Sequence, residues 1–223
     1  MPSSVTVIIP TLNEEDWIAG AVDSALAAGA SEVIVADGAS VDRTPRIAKA
    51  HGARLLLAER PRARQLNAAA RAAAHENLIV LHADTRLPAG AAAAVAAALE
   101  DVDFGGFRIA FIEPLKRLRF VAALINLRTA ISGAPWGDQA QFIRRERLLR
   151  DGGFREMPFL EDYELAVRMK RAGRTRLLPL TVHTSGRRFL RLGLVRTAAI
   201  NWRIIVRYRR GADPAELVRL YRQ

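Results

Sequence analysis

Three short apolar runs, each ending on or followed by a polar group, constrain this chain more than any other feature. They are "VTVIIP" from Val5, "EVIVAD" closing on Asp37 and "NLIVLHAD" closing on Asp84, and "ARLLLA" from Ala53 is a fourth candidate. Apolar runs of this length are the sequence form of strands buried on both faces, and the helical patterns between them make the βαβ repeat of a parallel sheet. Asn13 is placed to cap the first helix, with Glu14, Glu15 and Asp16 loading its first turn with the charge the helix dipole favours. Pro61 and Pro88 sit where the next helices begin.

Beyond Asp101 the alternation weakens. "DFGGFRIAF" reads as a strand, "PLKRLRFVAALINLRTAI" as an amphipathic helix, "DQAQFIRRE" as a further strand and "RTRLLPLTVH" as extended, with another helix starting near Glu161. The expected organisation is one α/β domain over residues 1–185 and a basic, amphipathic helical tail over 186–223.

Half of the residues are hydrophobic and 26% are charged, a balance that folds. Cysteine is absent, which excludes a disulfide framework, a thiolate metal site and a cysteine nucleophile. The opening residues carry no basic leader, and the Ala-rich stretch 89–99 is far shorter than the roughly 20 residues a spanning helix needs. These points predict a cytoplasmic protein, peripheral at the inner face of a membrane if it meets one.

The net charge is +11. From 186 to the end there are ten Arg against Asp213 and Glu216, so the surplus sits in the tail. Arg196, Arg203, Arg207 and Arg210 fall on one side of a helix over 190–210. A basic, apolar tail on a near-neutral body points to an anionic membrane surface, to the domain itself or to a second subunit as in a homodimer, and away from nucleic acid.

In open α/β sheets, ligands gather beyond the carboxyl ends of the strands. Thr11 and Asn13 follow the first strand, Asp37 the second, and His82 and Asp84 the fourth. Taken singly, Asn13 serves equally as a helix cap and Asp37-Gly38 as a turn; together they mark one edge. Neither G-x-G-x-x-G nor G-x-x-x-x-G-K-[ST] is present, so bound phosphates need another positive partner. A Mg2+ or Mn2+ ion on Asp84 meets that need, because these ions bind through one or two carboxylates plus substrate phosphates.

"VIIPTLNEE", "VIVADGASVDRT", "RARQLNAAA", "LHADTRLP" and "PFLEDYELAVRMKRAG", in this order and spacing, resemble glycosyltransferase family 2, which has the GT-A fold. The resemblance covers nearly the whole chain. It implies a Rossmann-like, mainly parallel sheet flanked by helices, and transfer of a sugar from a nucleotide-diphosphate donor to an acceptor hydroxyl with inversion. Pro10, Thr11, Asn13 and Glu14 would line the base and ribose, and Asp37 would accept a hydrogen bond from the base, which favours UDP-sugars and admits GDP-sugars. Arg64 would grip phosphate, with Gln65 and Asn67 placed either to help it or to face solvent.

His82-Ala83-Asp84 resembles the family's D-x-D signature, with His82 in place of the first Asp. Asp84 would hold the metal, and His82 would either contact ribose or support the metal site without ligating the ion itself. Asp162 of "FLEDYEL" would be the base, with Glu161 beside it. Trp136, Gly137, Asp138 and Gln139 fit an acceptor-side loop, in which Trp136 either stacks on a sugar or belongs to the core. "TSGRRF" resembles a reduced Q-x-x-R-W element, so Arg187 or Arg188 would clamp the departing diphosphate. The basic tail would suit a lipid or lipid-linked acceptor. Two other readings compete: a nucleotidyltransferase, whose loop after the first strand is usually basic and Gly-rich where "PTLNEEDW" is acidic, and a non-catalytic basic binding protein, in which Asp84 and Asp162 would have no role.

Overall fold

In the computed structural model, which describes residues 4–221, the expected strands form one side of a single sheet. β1 (Val5–Thr11), β2 (Glu32–Asp37), β3 (Arg54–Leu57) and β4 (Asn77–Val80) all run parallel, with β1 between β2 and β4 and β3 outermost. Every residue of β1 is buried, as unbroken apolar runs require. The crossovers are α1 (Ile18–Ala27), α2 (Thr44–Ala50) and α3 (Arg62–Ala72).

The chain then extends the sheet in a mixed manner through β5 (Thr85–Arg86), α4 (Ala91–Asp101), β6 (Phe104–Phe111), α5 (Lys116–Ser132), a 3₁₀ turn at Gly137–Gln139, β7 (Phe142–Arg144), α6 (Arg145–Arg150), α7 (Glu161–Ala172) and β8 (Thr175–Thr184). β7 lies antiparallel between β4 and β6, β6 and β8 pair in parallel, and β5 closes the far edge against β8. The sheet order is β3-β2-β1-β4-β7-β6-β8-β5.

Side chains alternate across β1 and so divide the core. Val7 and Ile9 join Val22, Val35 and Val95 on the face of α1 and α4, while Ile8 joins Leu66, Leu78, Phe154 and Met169 on the face of α3 and α7. The sheet is thus covered on both sides, and polar ends of buried strands can emerge only at its rim.

Two local expectations at the first helix are corrected. Glu14, Glu15 and Asp16 precede α1 instead of loading its first turn, which holds no acid. Asn13 does not cap α1, which starts at Ile18; it has φ 55°, and its Oδ1 accepts the Val41 N–H at 2.9 Å, so its side chain bridges two loops instead. The tail comprises α8 (Arg187–Leu192), α9 (Leu194–Arg209) and α10 (Pro214–Tyr221), broken at Gly193. It folds back on the domain. Ile204 and Leu217 are buried, Tyr208 meets Tyr163 of α7 edge to face at 5.9 Å, and Arg209 Nε donates to Tyr163 Oη at 2.7 Å.

Close packing between β6, β7 and β8 rests on Gly105, where a Cβ would collide with the Phe142 ring and the Arg176 carbonyl oxygen. Gly105→Ala should therefore destabilise the fold by about 1–3 kcal/mol, the usual cost of overpacking, read as a lower midpoint in urea unfolding. An unchanged midpoint would show that the sheet yields there.

Candidate active site

Loops from β1, β2 and β4 meet at the carboxyl rim of the sheet. The first two are stitched together by Asn13, whose N–H also donates to Ser40 Oγ at 2.9 Å, and by the Glu14 N–H, which donates to Thr44 Oγ1 at 2.8 Å. Pro10 and Thr11 are buried at the end of β1. Asp37 is buried at the end of β2, where its carboxylate accepts from Thr11 Oγ1 (3.1 Å), Ser40 Oγ (2.5 Å) and the Ser40 N–H (2.8 Å). That engages three of about four acceptor positions. Asp37 also lines an open groove of about 590 Å³ with Gly38, Ala39, Leu57 and Arg60.

On α3, each polar side chain has a distinct job. Gln65 Nε2 donates to the carbonyls of Thr11 and Ala36, both at 2.8 Å, tying the ends of β1 and β2 together. Asn67 forms a reciprocal pair with the Phe154 backbone, each bond 2.8 Å. Arg64 is exposed and ion-paired with Glu59 and Glu156, both at 2.8 Å. Its neighbour Arg62 is the one that faces the rim. It forms a close ion pair with buried Glu161, and its Nη1 lies 3.5 Å from His82 Nε2. Burial works against the Arg62 charge, but the carboxylates of Glu161 and Asp162 hold its proton more tightly than usual.

His82 and Asp84 stand just past β4. Burial first, then the positive charges of Arg62 and Arg187, push His82 down to about 4 against the opposing pull of Asp162, so its ring is neutral near pH 7. Burial raises the Asp84 carboxyl above its usual range, and Arg187 opposes that rise from 3.2 Å. Arg187 also grips Glu14 with both Nη atoms, at 2.9 and 3.1 Å, so one guanidinium bridges the carboxylates of two loops. Arg188 turns away: it lies 3.7 Å from the Tyr221 ring centre.

The 3₁₀ turn brings the last group. Gly137 donates its N–H to Asp162 Oδ2 at 2.8 Å, and the Tyr163 N–H holds Oδ1 at 2.7 Å. A side chain here would displace the groups around it, because a Cβ on Gly137 would collide with the Asp162 carboxylate and stand 2.8 Å from His82 Nε2. Asp138 has a buried Oδ1 without a partner among the described residues. Burial pushes it up to about 6; Arg128 opposes this, while the charges of Asp162 and Asp84 add to it. Gln139 is buried and accepts from Thr129 Oγ1 at 2.7 Å, so it anchors the turn to α5. Trp136 is held between Arg128, 3.6 Å from its ring centre, and Tyr163, whose ring meets it edge to face at 5.4 Å.

His82, Asp84, Gly137, Asp138, Glu161, Asp162 and Arg187 therefore share one rim, with Asp37 at the head of the adjoining groove. Arg62 and Arg128 were not singled out from sequence. The signal for Arg62 was its place two residues before Arg64: residues two apart on a helix point to different sides, so only one of the pair can face the cleft. Nothing in the sequence connected Arg128 with Trp136.

Among the described residues, no cluster of three or more His, Asp or Glu side chains could hold a metal alone. Asp84 nevertheless suits the mode in which the protein supplies one carboxylate and substrate oxygens and water supply the rest.

A family model described as glycosyl transferase family 2 matches residues 6–132. No curated protein sequence matches the chain significantly. Among solved structures, the mannosyltransferase PcManGT from Pyrobaculum calidifontis, in complex with GDP-Man and Mn2+, is 25% identical with a TM-score of 0.66, covering 96% of this chain and 67% of its own. S. aureus TarS is 18% identical with a TM-score of 0.64 over 82% of this chain, which spans only 36% of the TarS length. Glucosyl-3-phosphoglycerate synthase from Mycobacterium tuberculosis, in complex with Mn2+, UDP and glucosyl-3-phosphoglycerate, is 18% identical with a TM-score of 0.55, covering 82% of this chain and 71% of its own. The shared fold is the GT-A architecture expected from the motifs.

The raised Asp138 gives a pH signature. A carboxyl that binds its proton more tightly in the folded state costs nothing below the unfolded value near 4, and costs stability increasingly as pH rises to about 6, staying constant above. Asp138→Asn should therefore come closest to the wild type below pH 4 and exceed its stability at pH 7.5 by on the order of 3 kcal/mol. His82, with the opposite trend, is present in both proteins and cancels in the difference. Thermal unfolding of the pair across this range is the measurement; a pH-independent gap would show that the Asp138 carboxylate bears no such desolvation cost.

Proposed function

Because the chain belongs to glycosyl transferase family 2, we propose that it is a nucleotide-sugar-dependent glycosyltransferase that moves a sugar to an acceptor hydroxyl by single displacement with inversion. The observation that carries this reading is the meeting of Asp162, His82 and Gly137 on the rim that also holds Asp84 and Arg187. It sets a carboxylate proton acceptor on the same rim as groups suited to a diphosphate.

Asp162 takes the proton of the acceptor hydroxyl as the new bond forms, its orientation fixed by the Gly137 and Tyr163 N–H groups. Glu161 is locked onto Arg62, so it orients the start of α7 and leaves Asp162 as the available carboxylate of the pair. Neutral His82 offers a hydrogen bond to the donor without adding charge. Asp84 would hold Mg2+ or Mn2+, which when bound neutralises charge on the diphosphate. Arg187, already placed between Glu14 and Asp84, supplies the fixed cation for the leaving group.

The groove beside Asp37 takes the nucleoside, and the Asp37 oxygens with capacity to spare read a ring N–H of uracil or guanine. Structural relatives are recorded with GDP-Man, UDP and UDP-GlcNAc, which supports both classes. The acceptor side is the turn around Trp136 and Asp138, and the exposed apolar residues of α5, whose Arg128 lies over Trp136, suit an acceptor carried on lipid.

Asp162→Asn should lower kcat for sugar transfer by about 10²- to 10⁴-fold with little change in donor KM, since it removes the base and leaves the donor site intact. Asp84→Asn should instead weaken the Mn2+-dependent thermal shift produced by a nucleoside diphosphate. Full transfer by the Asp162 variant, or a nucleotide shift indifferent to both metal and Asp84, would overturn the assignment.

A further inference from the structure

Helix α5 is apolar on two sides, and only one of them is covered. Its inner face buries Leu118, Ala122 and Thr129, and is fixed by Asn126, whose amide makes two bonds to the Ile109 backbone at 2.9 and 3.0 Å. Its outer face presents Phe120, Leu124, Leu127 and Ile131 at 64, 50, 57 and 78% exposure. Their spacing of four, three and four residues puts all four in a stripe about 60° wide. A helix that is apolar all round belongs in a core or against lipid, and a contiguous exposed stripe of large side chains marks a contact surface.

Charge selects the occupant. α5 contains no Asp or Glu, and its first turn carries Lys116, Arg117 and Arg119, all exposed and without an ion-pair partner among the described residues. By helical position, Lys116 and Arg117 border the apolar stripe. A cationic end continuous with an apolar stripe that includes an aromatic ring is the composition of a helix lying in the plane of a membrane interface. The net charge of +11 acts in the same sense.

A second copy of the chain fits less well. The stripe is one ridge on a helix about 25 Å long, small beside the about 800 Å² that a stable dimer takes from each partner. None of the described helices is long and apolar enough to cross a membrane, so contact through this face would be interfacial.

We propose that the outer face of α5 seats this protein on the surface of an anionic lipid bilayer. Arg128, on the same helix, lies over Trp136, so seating α5 also brings the acceptor side of the cleft to the lipid–water boundary. That last consequence rests on the glycosyl-transfer reading and makes a hydroxyl on a lipid-anchored molecule the acceptor class. The seating itself does not depend on catalysis.

Co-sedimentation of the full chain with vesicles tests it, using phosphatidylcholine alone and phosphatidylcholine with phosphatidylglycerol. The wild type should bind the anionic vesicles, less so as salt rises, and Phe120→Glu/Leu127→Glu should weaken that binding by roughly tenfold or more. Phe120→Ser/Leu127→Ser serves as a second pair, with unfolding temperatures measured for both. Equal binding by the folded variants would assign attachment to the basic tail alone and overturn the proposal. So would wild type that binds neither vesicle, or a wild-type dimer, seen by light scattering, that these substitutions dissociate. Because no sugar is transferred in this assay, its failure leaves the catalytic reading intact, and full transfer by Asp162→Asn, which would overturn the catalytic reading, leaves the membrane reading intact.

Discussion

The ion pair between Arg62 and Glu161 is the constraint on which the rest of the site depends. Glu161 is almost wholly buried, and an ionised carboxylate there needs an opposite charge within reach. Arg62 supplies it from the first turn of α3, joining the parallel half of the sheet to α7 across 99 positions of sequence. With α7 fixed in this way, the next residue, Asp162, falls against the 3₁₀ turn and accepts the Gly137 N–H. Removing one partner would leave the other charged and buried, which typically costs about 3–5 kcal/mol and is harsher than losing both.

Much of the scaffold could be read from sequence because its signals are local. Buried strands leave unbroken apolar runs, and "VTVIIP", "EVIVAD" and "NLIV" became β1, β2 and β4 with their polar ends at one rim. Asp84 and Asp162 could be placed near each other only through a motif set spread along the chain, since no local rule links positions so far apart. Asn13 was misread as a helix cap because a short polar side chain serves caps and left-handed turns equally. What separates the two is the partner, Val41, and partners are tertiary information.

The same limit explains Arg62 and Arg64. Both suit phosphate by residue type, but helix phase relative to the sheet decides which one faces the rim, and the sequence does not set that phase. Gly137 shows the converse. In "APWGDQAQF" it looks like an ordinary turn glycine, yet its lack of a side chain is what admits the Asp162 carboxylate and the His82 ring. Helix α5 was legible as a helix and misleading as an amphipathic one, because its outer stripe is as apolar as its inner face.

The tail reaches the rim of the site through Arg187. Arg187 opens α8 and bridges Glu14, from the loop after β1, to Asp84, from the loop after β4. Without that guanidinium two carboxylates would share a partly buried rim with no cation between them. Arg188, one position on, commits to Tyr221, whose ring lies 5.2 Å from Phe159 just before α7. Consecutive arginines thus tie the site to the tail and the tail to the helix that carries Asp162. The +8 surplus of the tail is therefore not all available to an outside partner: part of it is spent within the fold, through Arg187, Arg188 and Arg209.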